Sequence, residues 1–133
     1  MNRRKYLQTM AAAGAVAAVD EAAGAAAAAP PIQLHVDLDV DAAKEKELVS
    51  NFQTIFKPTI RKQPGFVEVK LMKLRKAMKG SAPANTSYRL LISFQTEAQR
   101  VTWVATADHQ RVWPSIEKNL KGEKFSAVLF DLV

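Results

Sequence analysis

The hydrophobic period of residues 32–133 changes repeatedly along the chain, and this order of periods constrains the fold more than any other feature. Residues 33–40 (QLHVDLDV) alternate strictly between apolar and polar side chains, which is typical of a strand that is buried on one face. Residues 66–76 alternate in the same way. Two further apolar segments, 87–95 and 125–132, also have strand character. The sequence therefore predicts four strands.

Two segments between these strands have helical spacing. Asp41 can cap the first helix, in which one stripe of side chains is predicted to be buried: Leu48, Val49, Phe52, Ile55 and Phe56. Pro58 is expected to kink or end this helix, and residues 63–65 (QPG) are typical of a turn. The second helical region is predicted to begin at Thr96 and to run to about Leu120.

The resulting order, βαββαβ, predicts an α+β fold of the ferredoxin-like type. In this fold a four-stranded antiparallel sheet carries its helices on one face. Residues 90–92 and 128–130 are each consecutively apolar, so these two strands are apolar on both faces. Because the helices cover one face only, a second copy of the chain is the simplest cover for the other. A homodimer is therefore predicted.

Residues 1–29 have the layout of an export signal. The basic run Arg3-Arg4-Lys5 precedes an apolar run over residues 10–19, and alanine dominates the remainder. The arginine pair, followed in register by Tyr6 and Leu7, resembles the twin-arginine export motif. This predicts a periplasmic or secreted protein with its domain in residues 30–133; the alternative is a disordered alanine-rich tail. The apolar run is too short for a stable membrane span.

Composition and charge exclude several classes of site. The chain has no cysteine, which excludes disulfides, thiolate metal sites and a cysteine nucleophile. Its 19 Lys and Arg exceed its 13 Asp and Glu, but the basic cluster at residues 70–79 has no interleaved aromatic residues and favours a solvated strand edge. No nucleic-acid partner is expected. The sequence has no Gly-rich phosphate loop and no nucleophile elbow.

Residues 32–133 resemble the antibiotic biosynthesis monooxygenase family, small proteins of the dimeric α+β barrel fold. The resemblance lies in the element order, in the turn at residues 64–66 (PGF) and in the spacing of residues 103–113 (WVATADHQRVW). It implies a pocket without a cofactor, between sheet and helices, that binds a small aromatic molecule. Some members oxygenate quinol-like polyketides without metal or flavin, others degrade haem, and many have no known substrate.

The resemblance also implies roles for individual residues. Quinol-oxygenating members have a tryptophan, an asparagine four residues before it and a tyrosine six residues after it; here the three places hold Trp103, Gln99 and His109. The resemblance implies that Trp103 forms the pocket wall, that the amide of Gln99 orients the substrate and that His109 acts as base. Haem-degrading members have an iron-binding histidine ten residues after the tryptophan. This place holds Trp113, which cannot bind iron, so haem degradation is not predicted. Trp113 is a further candidate for substrate binding.

Each candidate also has a purely structural interpretation. Trp103 and Trp113 can be core residues, and His109 can be a core histidine. Asp37 is a further candidate for substrate binding, because it shares one face of the first strand with His35 and Asp39. That face can line the pocket or meet solvent. Three ligands on one flat strand diverge, so no metal site is predicted there.

Two functions of different classes remain open. The first is a cofactor-independent monooxygenase acting on a small electron-rich aromatic. In such a reaction the deprotonated substrate itself reduces O₂, and the protein supplies a base, an apolar cavity and orientation. The second is a non-catalytic exported protein that binds a small molecule or responds to stress. Whether His109, Trp103 and Gln99 line one cavity discriminates between these two functions.

Overall fold

A computed structural model describes residues 29–133 of the protein. Four strands alternate with two helical regions in the order that the sequence predicts, and the ferredoxin-like α+β fold is confirmed. The predicted export signal, residues 1–29, lies outside the described residues apart from Ala29. The strands are β1 (Ile32–Val40), β2 (Phe66–Lys73), β3 (Tyr88–Phe94) and β4 (Leu120–Asp131).

The strands form one sheet in the order β2-β3-β1-β4, with every neighbouring pair antiparallel. Residues paired across antiparallel strands share a face of the sheet. Val36 pairs with Leu90 and Ala127, on the face that packs against the helices. His35 pairs with Leu91 and Val128, on the opposite face. We call this second face the open face of the sheet.

The first helical region covers residues 42–60 and is not uniform. It consists of a 3₁₀ turn (Ala42–Lys44), helix α1 (Glu45–Asn51), a π-helical segment (Phe52–Phe56) and helix α2 (Lys57–Ile60). The cap at Asp41 is confirmed, because its carboxylate accepts a hydrogen bond of 2.9 Å from the N–H of Ala43.

Pro58 does not end the first helical region, which was one of the two effects expected of it. The helix continues to Ile60, and the five residues before Lys57 are π-helical. In that segment the N–H of Lys57 reaches the carbonyl of Phe52, one residue further back than in an α-helix. We attribute the continuation to this wider turn, which relieves the crowding that a proline ring causes in an α-helix.

The buried stripe of this region differs from its prediction at two positions, Val49 and Ile55, of which Ile55 is partly buried against the core. Leu48, Phe52 and Phe56 are buried as expected, but Val49 is 39% exposed. Ile60 extends the buried row by one more turn. The buried residues are spaced by four, so one narrow row of side chains faces the sheet.

The second helical region, which was predicted to run from Thr96 to about Leu120, consists of two helices and ends at Glu117. Helix α3 (Glu97–Ala105) is capped by Thr96, whose hydroxyl accepts from the N–H of Gln99 at 3.1 Å. Helix α4 (Ala107–Glu117) follows after a break at Thr106, where the backbone is extended (ψ 155°). Pro114 lies inside α4 and begins no helix.

Strand β4 begins five residues earlier than predicted because it contains an irregular bulge. Phe125 pairs with Leu38 and Leu120 with Val40, so four residues of β4 stand opposite Asp39 alone. Gly122 (φ 54°) and Glu123 (φ 56°) adopt left-handed conformations in this bulge. The strand prediction covered only the regular part after the bulge.

One hydrophobic core fills the space between the sheet and the helices. Its members come from all four strands and both helical regions, and the fully buried ones include Leu38, Phe56, Leu90, Phe94 and Ile116. Within residues 29–133, no helix is both long enough and apolar enough to cross a membrane.

Candidate functional site

A cavity of about 210 Å³ lies between the sheet and the helices. Leu34, Val36 and Ile92 form its sheet side, and the side chains of Trp103 and His109 lie on its helix side. Phe125 of the edge strand β4 also lines the cavity and is partly exposed, so the cavity reaches the surface there. Most of the lining is apolar, which suits an apolar ligand.

Trp103 and His109 contact each other in this cavity. Their ring centroids are 5.1 Å apart, with the rings nearly perpendicular (83°), and Trp103 is only 3% exposed. In one straight helix, six residues correspond to about 600°, which would put the two side chains on different faces. The break at Thr106 is therefore what brings His109 back to Trp103.

Thr106 holds this arrangement with two hydrogen bonds of its side chain. Its hydroxyl donates to the carbonyl of Trp103 at 2.7 Å and accepts from the backbone N–H of His109 at 3.1 Å. It thereby caps the start of α4 and closes the end of α3. One short side chain thus fixes the relative position of the two candidate residues.

Aromatic side chains surround the imidazole of His109. The ring of Trp113 lies nearly parallel to it (12°) with centroids 6.2 Å apart, and Phe125 packs edge-on against Trp113 at 5.2 Å. Phe56 contacts both tryptophans from the first helical region. Trp113 therefore lies at the same cavity as Trp103 and His109.

The setting of the His109 imidazole disfavours its charged form. Burial lowers the pKa of His109 from its ordinary value of 6.5, because the charged form loses hydration. Its Nδ1 atom is buried and has no hydrogen-bond partner among residues 29–133. Nε2 is therefore the ring nitrogen left to meet a ligand.

Gln99 does not line this cavity. Its amide packs directly against Gly65: a Cβ atom at Gly65 (φ 81°) would lie 2.0 Å from Oε1 of Gln99. Oε1 of Gln99 also accepts a hydrogen bond of 3.2 Å from the hydroxyl of Thr96. Gln99 lines a separate pocket near Pro64, and Trp103 borders both pockets.

Asp37 also lies away from the cavity, on the open face of the sheet. Its carboxylate forms a two-point ion pair with Arg89, the residue paired with it on β3; Nη2 of Arg89 is 3.1 Å from Oδ2. His35 lies beside this pair, with Nε2 2.8 Å from Oε1 of Gln33 and its ring 4.9 Å from that of Phe130. Burial, and then the charge of Arg89, lower the pKa of His35.

No metal site is found among the described residues 29–133, where acidic and histidine side chains form no group of three that could hold an ion. His35, Asp37 and Asp39 alternate along one strand, and the carboxylate of Asp37 is paired with Arg89.

The carboxylate of Asp108 is turned away from its neighbour His109. It accepts from Gln63 at 3.1 Å and from Arg111 at 3.2 Å.

Sequence reasoning missed Arg100, Phe56, Thr106 and Phe125 at this site. For Arg100 a signal was available, because it lies three residues before Trp103 and so on the same face of α3. For Phe56 and Phe125, burial and alternation predict only that the side chains face the core. Their place at the cavity depends on how the helices lie across the sheet.

Comparison with solved structures identifies the fold. A variant of SnoaB, a cofactor-independent oxygenase from Streptomyces nogalater, matches with a TM-score of 0.60 and 19% identity over 78% of this chain and 94% of that one. A proposed antibiotic biosynthesis monooxygenase from Caulobacter crescentus matches with a TM-score of 0.62 and 16% identity over 80% and 92%. The chain has the fold of the antibiotic biosynthesis monooxygenases. The resemblance stated from the sequence is thus confirmed at the level of the fold.

A third solved structure bears on the assembly. A dimeric ferredoxin-like protein of unknown function from Jannaschia matches with a TM-score of 0.64 and 15% identity over 77% of this chain and 99% of that one. No family model matches the sequence, and no curated protein matches it at a significant level. At these identities the similarity establishes the fold and not the reaction.

Proposed function

We propose that this protein is a cofactor-independent monooxygenase that acts on a small electron-rich aromatic molecule such as a phenol or quinol. The observation that carries the proposal is the contact between Trp103 and His109 in one apolar cavity between the sheet and the helices. An apolar cavity with few polar groups suits an aromatic ligand. The similar fold of SnoaB, itself a cofactor-independent oxygenase, supports the reaction class.

In the proposed reaction, His109 removes the hydroxyl proton of the bound phenol. The proton goes to Nε2, since Nδ1 is buried. The lowered pKa of His109 keeps the imidazole neutral at pH 7 and ready to accept a proton. The imidazolium and the phenolate then stabilise each other as an ion pair in an apolar environment.

The phenolate then reduces O₂ and is oxygenated. For 1-naphthol, one oxygen atom of O₂ enters the ring at C4, and the other leaves as water with the hydrogen atoms of the hydroxyl group and of C4. The products are 1,4-naphthoquinone and water. Trp103 and Trp113 supply faces against which the fused rings can stack, and they exclude water from the reacting carbon.

The experiment that tests this proposal is an aerobic assay of the purified protein with 1-naphthol. We expect one molecule of 1,4-naphthoquinone to form per O₂ consumed. Addition of catalase should release no O₂, because the reaction forms no H₂O₂. If neither 1-naphthol nor any other phenol or quinol in a panel is turned over, the monooxygenase proposal is wrong.

A second candidate function is that of a binding protein without catalysis. It is favoured by the lack of a partner for Nδ1 of His109 among the described residues and by the position of Gln99 outside the cavity. A base is usually oriented by a third group, and Asp108 does not supply one here. This function predicts saturable binding of 1-naphthol with no product.

We further propose that the protein is a homodimer whose subunits meet through the open face of the sheet. Val128 and Phe130 on the edge strand β4 are 52% and 49% exposed on that face, and both are paired with β1. The dimeric ferredoxin-like protein from Jannaschia supports this assembly. Large apolar side chains that lie exposed side by side on one face are typical of an interface.

Val128→Lys is expected to convert the dimer into a monomer at micromolar concentration, because a charge would be buried in the interface. Light scattering coupled to gel filtration measures the change as a halving of the molar mass. The matched control is Val49→Lys, since Val49 is also an exposed valine but lies on α1. A wild-type protein that is monomeric at this concentration would contradict the proposal.

We also propose export by the twin-arginine pathway, on the basis of Arg3 and Arg4 and the residues that follow them. Replacing both arginines by lysine keeps the charge and is expected to abolish export of a reporter fused to the full chain. The control replaces Lys5 by arginine, which leaves the pair in place. Export of the Arg3→Lys/Arg4→Lys fusion at the unchanged level would contradict this route.

A further inference from the structure

Among the described residues 29–133, Arg100 is the charged residue that lines the cavity, and the proposed reaction does not use it. Arg100 lies one turn before Trp103 and Val104 on α3, and all three residues line the cavity. Its side chain is only 20% exposed, whereas that of Arg111, on the outer side of α4, is 61% exposed. A charged group beside an otherwise apolar cavity restricts the ligands that can enter it.

Arg100 is held in place and retains hydrogen-bond donors. Its Nε and Nη2 atoms donate to the two carboxylate oxygens of Glu97, at 2.6 and 2.7 Å. Within residues 29–133, this pair leaves Nη1 without an acceptor. A guanidinium has five N–H groups, so a second anion can bind while Glu97 stays in place.

Glu97 is the more exposed partner of this pair. Its side chain is 44% exposed and belongs to the first residue of α3, where water and the positive end of the helix dipole also stabilise the carboxylate. The side chain of Arg100 is the more buried of the two. The two-point geometry fixes the plane of the guanidinium and lowers the entropy lost when a ligand binds to it.

We infer that the cavity selects aromatic acids, with the ligand's carboxylate held by Arg100 and its rings packed against Trp103 and His109. This inference rests on the proposed function only in taking the cavity as the ligand site. It names the substrate class as an aromatic that carries an ionised acid group in addition to its hydroxyl. Arg100 is then a specificity-determining residue and not a base.

The test compares 1-naphthoate with 1-naphthamide, which has nearly the same shape but no charge. Binding to the purified full-length protein is measured by calorimetry. We expect 1-naphthoate to bind about tenfold more tightly or better, because hydrogen bonds to charged groups are the stronger ones. Arg100→Gln should remove this preference and change the affinity for 1-naphthamide by less than about twofold.

Two further variants separate recognition by Arg100 from a structural role. Glu97→Gln should raise the affinity for 1-naphthoate severalfold, because it releases the guanidinium from a competing carboxylate. If the pair had only a structural role, its loss would not raise this affinity. Arg111→Gln is the matched control, since Arg111 forms a pair of the same spacing with Asp108 outside the cavity. It should leave both affinities unchanged.

The outcomes also separate this inference from the proposed function. If 1-naphthamide binds as tightly as 1-naphthoate, or if Arg100→Gln retains the preference, recognition of an acid by Arg100 is wrong, and the monooxygenase proposal is unaffected. If neither compound binds, recognition of an acid by Arg100 is wrong, and the monooxygenase proposal is decided by the turnover of phenols alone. If the preference is found and depends on Arg100 but neither 1-naphthol nor any phenol that carries an acid group is turned over, selective binding stands and the oxygenation is wrong.

Discussion

Replacing His109 by glutamine is expected to lower the turnover of 1-naphthol by a factor of about 100 to 10,000, the usual contribution of a positioned base. Glutamine keeps a hydrogen-bonding group of similar reach but cannot accept the proton. Binding of 1-naphthol is expected to stay within about threefold of that of the wild type, because the rings of Trp103 and Trp113 remain. The measurement is the initial rate of 1,4-naphthoquinone formation, beside a calorimetric Kd.

The pH profile gives a second and independent expectation for His109. A base must be neutral to act, and burial lowers the pKa of His109 below its ordinary value of 6.5. Turnover should therefore be constant near pH 7 and should fall only as the pH drops through this lowered pKa. In His109→Gln the remaining activity should show no such decline.

His35→Gln is the control for this experiment. His35 is the other histidine of the chain, and its pKa is also lowered by burial, but it lies on the open face of the sheet. Its replacement should leave the acid decline of turnover in place. If His109→Gln retains the wild-type rate and pH profile while 1-naphthol is turned over, histidine is not the base.

The fold was predictable because the hydrophobic period alone distinguishes strands from helices in this chain. Strict alternation over residues 33–40 identified β1, and the buried spacing of Leu48, Phe52 and Phe56 identified the first helical region. These patterns result from which face of each element is buried, and that is a local property. The element order then left few topologies.

The boundaries were harder to predict where the backbone departs from regular structure without a glycine or proline to signal it. Thr106 breaks the second helical region by capping α4 with its hydroxyl, and threonine also occurs inside helices. Conversely, Pro58 does not end the first helical region, and Pro114 lies inside α4. The effect of a proline depended here on the hydrogen-bond pattern around it.

The site could be predicted only in part, because sequence spacing does not determine what lies between two side chains. Trp103 and His109 come together only through the break at Thr106. Gln99 has the spacing of an orienting amide, but Gly65 leaves room for its side chain and the amide packs there instead. The position of Asp37 was predictable from the alternation of β1. Asp37 lies on the face of the strand opposite to that of Val36, and Val36 lines the cavity.

Trp103→Ala is expected to cost about 3–5 kcal/mol of the free energy of unfolding, the usual loss for a large buried aromatic. Trp103 is 3% exposed and packs edge-on against Phe56 and His109, so the cavity left behind has little chance to collapse. Urea unfolding at a fixed protein concentration measures the loss. Trp103→Phe, which keeps an aromatic ring, is the control and should cost clearly less.

The same variant decides whether Trp103 is also a wall of the binding site. A ligand that binds only the folded protein stabilises it, by about 1.4 kcal/mol at ten times its Kd. 1-Naphthol should stabilise the wild type and Trp103→Phe in this way. Trp103→Ala should show little gain at the same concentration, because loss of stacking and apolar contact weakens binding by about 1–3 kcal/mol. If Trp103→Ala is destabilised yet gains as much from 1-naphthol as the wild type, Trp103 supports the core only, and the aromatic ligand stacks elsewhere in the cavity.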